Sequence, residues 1–203
     1  MLKNIIFDMG NVLIEYEPEC FIERVGITDE ADKQQLMCEI FLSQEWKLND
    51  KGELDEAQLE KIVLKRIDKH LHEASHRLIY GWDRLSKPID GMAQLVRDCK
   101  AAGLGVYLLS NASRRQPEYW VNIPGNEYFD DTFVSAFYLC LKPSAQIYTM
   151  ALEKFGVKAD QCLFVDDTLR NVEGAMQVGL HGFHFTGNAD KLREAIRNMG
   201  AAI

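Results

Sequence analysis

"NIIFDMGNVL", residues 4–13, is the stretch that decides the fold. Ile5, Ile6 and Phe7 form an unbroken apolar run of strand length, the pattern of a parallel strand covered on both faces. The run delivers Asp8 to the strand's end, and Gly10 permits a sharp turn just beyond it. Two further runs have the same character, "GVYLLSN" at 105–111 and "CLFVDD" at 162–167. All three end in polar residues: Asp8, then Ser110 and Asn111, then Asp166 and Asp167. Open parallel sheets bind ligands at the carboxyl ends of their strands, so these residues are expected to converge on one edge. "DTFVSA" at 131–136 and "HGFHF" at 181–185 are weaker runs that extend the sheet.

Helical patterns alternate with the strands from residue 89 onward. They fall at 89–103, 144–156, 171–179 and 188–200, with Gly103, Gly156 and Gly179 as stops. This alternation predicts an α/β fold, a doubly wound Rossmann-like parallel sheet. Residues 16–88 interrupt it with no convincing strand and read as helices near 18–25, 29–42, 55–70 and 73–81. Asp55 and Gln58 suit a capping box at the third of these. The expected organisation is a core of 1–15 and 89–203 with an inserted helical subdomain at 16–88. Within the insert, "LSQEWKLNDKGELDE" at 42–56 is expected to be a loop that reaches into the cleft.

Composition narrows the function. The chain has 203 residues, 47% of them hydrophobic and 27% charged, as in ordinary globular proteins. Its net charge of −8 argues against a nucleic-acid partner, which needs a basic face. No apolar run reaches membrane-spanning length, and no signal-peptide pattern opens the chain. The five cysteines, Cys20, Cys38, Cys99, Cys140 and Cys162, are odd in number and include no CxxC pair. They read as buried free thiols of a cytoplasmic protein. Oligomeric state is not legible.

Aspartates at strand ends also serve as helix caps and turn residues. Three of them gathered at one edge repel one another and call for compensation. Mg2+ suits such a site, because it is a hard cation that takes carboxylate and carbonyl oxygens. Ser110 and Asn111 offer a hydroxyl, an amide and backbone N–H groups to phosphate oxygens. Lys142, in "LCLKPSAQIY", precedes a proline that stiffens its backbone and brings an ammonium toward the same edge. A fixed cation there performs the electrostatic task of phosphoryl transfer.

Taken in order, "FDMGNVL" with Asp8, "LLSN" with Ser110, "LKPS" with Lys142 and "VDD" at 165–167 resemble the four motifs of the haloacid dehalogenase (HAD) superfamily. Within it, "DMGN" is similar to the first motif of the alpha-glucose-1-phosphatase-like sugar phosphatases. The resemblance covers essentially the whole chain and implies a helical cap over an active site. It implies that Asp8 is a nucleophile that forms an aspartyl-phosphate. Mg2+ is held by Asp8, the carbonyl of Gly10 and Asp167, with Asp166 holding a metal-bound water. Asn171 supports the loop, Ser110 and Asn111 bind the phosphoryl group, and Lys142 clamps it. The resemblance thus implies a hydrolase of small phosphorylated metabolites.

The chain departs from that pattern at Gly10, where most phosphatases of the superfamily carry an aspartate that works as general acid and base. Asn11 is polar but is no ordinary acid. A missing acid favours leaving groups that carry negative charge well, so an anomeric sugar phosphate is the expected substrate. Trp46 is a candidate to stack on a sugar ring or to anchor helices, and Arg114 and Arg115 are candidates to contact the leaving group. A dehalogenase and a receiver-like phosphoacceptor are the alternatives; the acidic pair and the helical insert weigh against them. "HEASH", His72–His76, fits the H-E-x-x-H zinc motif, but no third ligand follows and its setting is polar.

Overall fold

A computed structural model describes all residues, 1–203. Five strands form one parallel sheet: β1 (Asn4–Phe7), β2 (Gly105–Ser110), β3 (Asp131–Val134), β4 (Cys162–Asp166) and β5 (His181–His184). Their order is β3-β2-β1-β4-β5, so the chain reverses its direction of winding at β1. That reversal opens a crevice at the carboxyl end of the central strand, where Asp8 lies.

Alternating side chains of the strands feed two separate cores. Ile5, Phe7, Val106, Leu108, Leu163 and Val165 join the larger one. Ile6, Leu109, Phe133 and Phe164 join the smaller, on the opposite face. Both faces are thus covered, which is why the strands read as apolar throughout. Helices α6 (Met92–Ala101) and α10 (Ala189–Asn198) contribute to the larger core, and α8 (Ala145–Phe155) and α9 (Leu169–Gln177) to the smaller. No helix is long and apolar enough to cross a membrane. Cys99, Cys140 and Cys162 are buried as expected, but Cys20 is half-buried and Cys38 exposed; all five are free.

Residues between β1 and β2 form α1 (Pro18–Arg24), α2 (Glu30–Leu36), α3 (Gln44–Lys51), α4 (Glu56–Val63) and α5 (His72–Leu85). The outgoing and returning chains run side by side. The Glu15 N–H donates to Lys87 O at 2.7 Å, the Ile89 N–H to Leu13 O at 2.9 Å, and Ser86 Oγ to Glu15 O at 2.6 Å. Asp55 and Gln58 form the expected capping box of α4.

The stretch 42–56 is not a loop. Ser43 caps α3 by accepting the Trp46 N–H at 3.1 Å, and Gly52 ends it in the left-handed region at φ 82°. The charged sequence "QEWKLNDK" carries too little apolar periodicity to announce this helix. The pattern at 29–42 also divides, into α2 and a π-type turn at Met37–Phe41. A short α7 (Gln116–Trp120), with Pro117 in its first turn, gives no periodic signal at all.

Gly52 is a point of close approach. A Cβ there would fall 2.1 Å from the Ala136 carbonyl oxygen, at a φ that already disfavours a side chain. Gly52→Ala is therefore expected to cost more than about 1 kcal/mol in denaturant unfolding, since the native conformation is incompatible with alanine. Unchanged stability would show that this corner does not rest on the sheet edge.

Candidate active site

Asp8 leaves the end of β1 buried between the ends of β2 and β4. Lys142, also buried, reaches it from the loop before α8: its Nζ lies 2.8 Å from Asp8 Oδ1 and 2.6 Å from Asp166 Oδ2. Asn111 sets that lysine, accepting the Lys142 N–H at 2.9 Å and donating to its carbonyl at 3.3 Å. The Asn111 amide thus holds the loop, while the residue also lines the cavity. Ser110 is buried beside it, lines the cavity, and its hydroxyl makes no hydrogen bond within the chain.

Asp166 is fully buried and its oxygens are in use. They accept from Thr168 N at 2.8 Å, from Asn171 Nδ2 at 3.0 and 3.2 Å, and from Lys142. Asn171 is steadied in turn by the Tyr148 hydroxyl, which donates to its carbonyl at 2.7 Å. Asp167 faces the cavity, and its Oδ2 accepts from Asn11 Nδ2 at 3.2 Å. Asn11 sits in the left-handed region, φ 52°, and its side chain also pins Tyr16: its Oδ1 accepts the Tyr16 N–H at 2.8 Å.

One oxygen from each of Asp8, Asp166 and Asp167 lies within 4.8 Å of the others. Burial pushes the Asp8 carboxyl up to about 7; Lys142 opposes this, while the charges of Asp166 and Asp167 add to it. Burial and then Asp166 raise Asp167 as well, against the Asn11 hydrogen bond and Lys142. The Lys142 ammonium is disfavoured by burial, but Asp166 and Asp8 more than offset that, so it stays firmly charged. One ammonium among three carboxylates leaves negative charge to spare. The donor set, all hard oxygen and short of positive charge, fits a divalent cation such as Mg2+.

Asp8, Lys142 and Asp167 line a cavity of about 420 Å³, with Asp166 buried behind them. Gly10, Asn11, Ser110, Asn111, Thr168 and Asn171 line it near the cluster. Tyr16, Phe41, Trp46, Trp82 and Tyr119 form an aromatic wall. Trp46 lines the cavity and packs on Phe41 with ring centroids 4.9 Å apart. Three charged lining residues were not singled out in the sequence: Lys47, Asp50 and Glu56, from α3 and the start of α4.

Neither arginine lines the cavity. Arg114 is exposed, over the Phe137 ring and 3.4 Å from Gly52 O. Arg115 turns to Asp83 at 3.8 Å and Glu118 at 3.1 Å. The H-E-x-x-H residues lie on α5, where His76 Nδ1 pairs with Glu60 at 2.7 Å, and they form no group of converging ligands.

The model of the haloacid dehalogenase-like hydrolases matches residues 2–179. The sesquiterpene phosphatase astK of Aspergillus oryzae is 29% identical over 98% of this chain and 97% of its own. Flavin mononucleotide hydrolase 1 of Arabidopsis thaliana is 27% identical over 76% of this chain; the match spans 62% of that protein. A HAD family enzyme of Bacteroides thetaiotaomicron, solved with magnesium and inorganic phosphate, superposes with a TM-score of 0.70 at 19% identity, covering 93% of this chain and 96% of that one. At that identity the likeness concerns the fold. The family match, by contrast, runs through all four strand-end and loop motifs that supply the cluster, and on it the chain belongs to the haloacid dehalogenase-like hydrolases.

Proposed function

We propose that the chain is a Mg2+-dependent phosphatase that hydrolyses a small phosphorylated metabolite, a sugar phosphate first among them, through an aspartyl-phosphate on Asp8. The observation that carries this is the Lys142 ammonium bonded to both Asp8 and Asp166 beneath a cavity of metabolite size. The phosphatase names of the relatives support it, as does the magnesium and phosphate bound by the Bacteroides enzyme.

In this reading Asp8 attacks phosphorus with the carboxylate that Lys142 orients. Lys142 and the unengaged Ser110 hydroxyl hold the phosphoryl oxygens. Asp8, Asp167 and the Gly10 carbonyl would hold Mg2+, with Asp166 behind them. Bound there, the cation neutralises charge on the transferring phosphoryl group. Residues 16–88 act as a cap, and the aromatic wall to which they bring Tyr16, Phe41, Trp46 and Trp82 excludes water. A dehalogenase has no evident use for the acidic pair Asp166–Asp167.

A second reading rests on the same wall. Tyr16, Phe41, Trp46, Trp82 and Tyr119 suit the apolar body of an isoprenoid phosphate as well as the face of a sugar, and a sesquiterpene phosphatase is among the relatives. The test is kcat/KM with Mg2+ across sugar 1-phosphates, sugar 6-phosphates, flavin mononucleotide and prenyl phosphates. The sugar reading expects sugar phosphates to lead flavin mononucleotide and prenyl phosphates by about tenfold or more, a difference of about 1.4 kcal/mol in transition-state stabilisation. A lead for prenyl phosphates would replace it with the second reading.

A further inference from the structure

Position 10 not only lacks a carboxylate but has little room for one. A Cβ on Gly10 would lie 3.2 Å from Tyr16 Cβ. Tyr16 cannot easily yield, because Asn11 pins its backbone and its ring packs edge-on against Trp82 at 5.1 Å and Phe21 at 5.8 Å. The cavity nevertheless holds other acids, Asp50 from α3 and Glu56 from α4. Glu56 is taken: its Oε1 accepts the Ser113 hydroxyl at 2.5 Å. Asp50 is not, since its carboxylate makes no hydrogen bond or ion pair within the chain although it lines the same cavity as Asp8.

The backbone around Asp50 is fixed over the sheet edge at several points. Ser135 Oγ donates to the Asp50 carbonyl at 2.5 Å and accepts the Ala112 N–H at 2.9 Å. Gly52 abuts Ala136, and Glu56 is bonded to Ser113. These ties run from the turns after β2 and β3 to the α3–α4 corner. They fix the backbone that carries Asp50, so its carboxyl group extends from a fixed point, as a proton donor requires.

We propose that Asp50 is the proton donor to the leaving-group oxygen, supplied by the helical insert in place of the acid absent from residue 10. The inference rests on the phosphatase reading above. In the first half-reaction Asp8 forms its bond to phosphorus as the phosphorus–oxygen ester bond breaks. The departing oxygen takes the Asp50 proton and leaves as an alcohol, with Asp50 ionised. In the second, water attacks the phosphorus of the aspartyl-phosphate and gives its proton to Asp50. Inorganic phosphate departs, and Asp8 and Asp50 regain their starting states.

The surroundings favour the protonated form. Burial raises the Asp50 carboxyl well above the usual range, the charges of Glu56 and Asp8 raise it further, and Lys142 opposes them. The residue remains part-exposed, and as a cavity-lining group it stands where a substrate oxygen can reach it. With Asp50 as donor, poor alkoxide leaving groups are served, and selection among sugar phosphates falls to the shape of the cavity.

The test is single-turnover phosphoryl transfer with Mg2+ for Asp50→Asn and Asp50→Glu against the native protein. Esters should run from alkyl phosphates to p-nitrophenyl phosphate, with thermal unfolding of each variant as a check on folding. Asp50→Asn is expected to lose about 10²–10⁴-fold on alkyl phosphates but less than about tenfold on p-nitrophenyl phosphate, whose leaving group needs no proton. Asp50→Glu should recover part of the alkyl activity. An equal loss on all esters, or no loss on any, overturns the role of Asp50 while leaving the phosphatase reading in place. A native protein that turns over none of the esters overturns both.

Discussion

Asp8→Asn is expected to abolish hydrolysis of every phosphate ester, lowering kcat by about 10⁴-fold or more, the scale seen when a catalytic nucleophile is removed. An amide attacks phosphorus poorly and binds a divalent cation poorly. The variant should fold. Asn is the isostere of Asp, Lys142 keeps Asp166 as its partner, and one of three crowded carboxylates is gone. In the absence of divalent cation the variant should unfold at least as high in temperature as the native chain at pH 8. The sign follows from the raised Asp8 carboxyl. Its proton is held more tightly in the folded state, so its contribution to stability is full below 3.8 and is lost as pH rises through about 7. Paired activity and melting measurements check both parts.

Lys142→Ala should affect activity and stability together. It removes the one ammonium bonded to Asp8 and Asp166 and leaves both carboxylates buried without it. Breaking a buried pair from one side costs about 3–5 kcal/mol. For a chain of this size that corresponds to a fall in Tm of roughly 6–20 °C. The deficit should shrink as pH is lowered toward the range of ordinary carboxylates, because protonated Asp8 no longer needs a counter-charge. Loss of turnover with an unchanged Tm would show that the ion pair is not part of the folded protein's support.

These residues were legible in the sequence because they stand where the chain's own periodicity places them. Apolar runs ending in Asp8, Ser110 and Asp166 could only be strands buried on both faces, and parallel strands put their ends on one edge. Lys142 was marked by its proline. What escaped depends on contacts made across the fold. Helix α3 is charged and is held by Ser43, Gly52 and the turn at Ser135–Phe137 rather than by an apolar stripe. Asp50 and Glu56 therefore passed as part of a polar loop. Arg114 and Arg115 sit next to the second motif in sequence, yet their side chains are drawn to Gly52 and Phe137 and to Asp83 and Glu118. Asn111 and Asn11 offered free amides on paper; in the fold these secure Lys142, and Tyr16 with Asp167.

The account turns on a phosphoryl group passing through Asp8, and that can be observed directly. Protein mixed with a phosphate ester and Mg2+, quenched in acid and digested, should yield a peptide spanning residues 4–13 that carries one phosphoryl group on Asp8. The adduct should disappear as substrate is exhausted, and should be absent when Mg2+ is withheld. Turnover of the ester with no phosphoryl group on Asp8, and with activity retained in Asp8→Asn, would contradict the account.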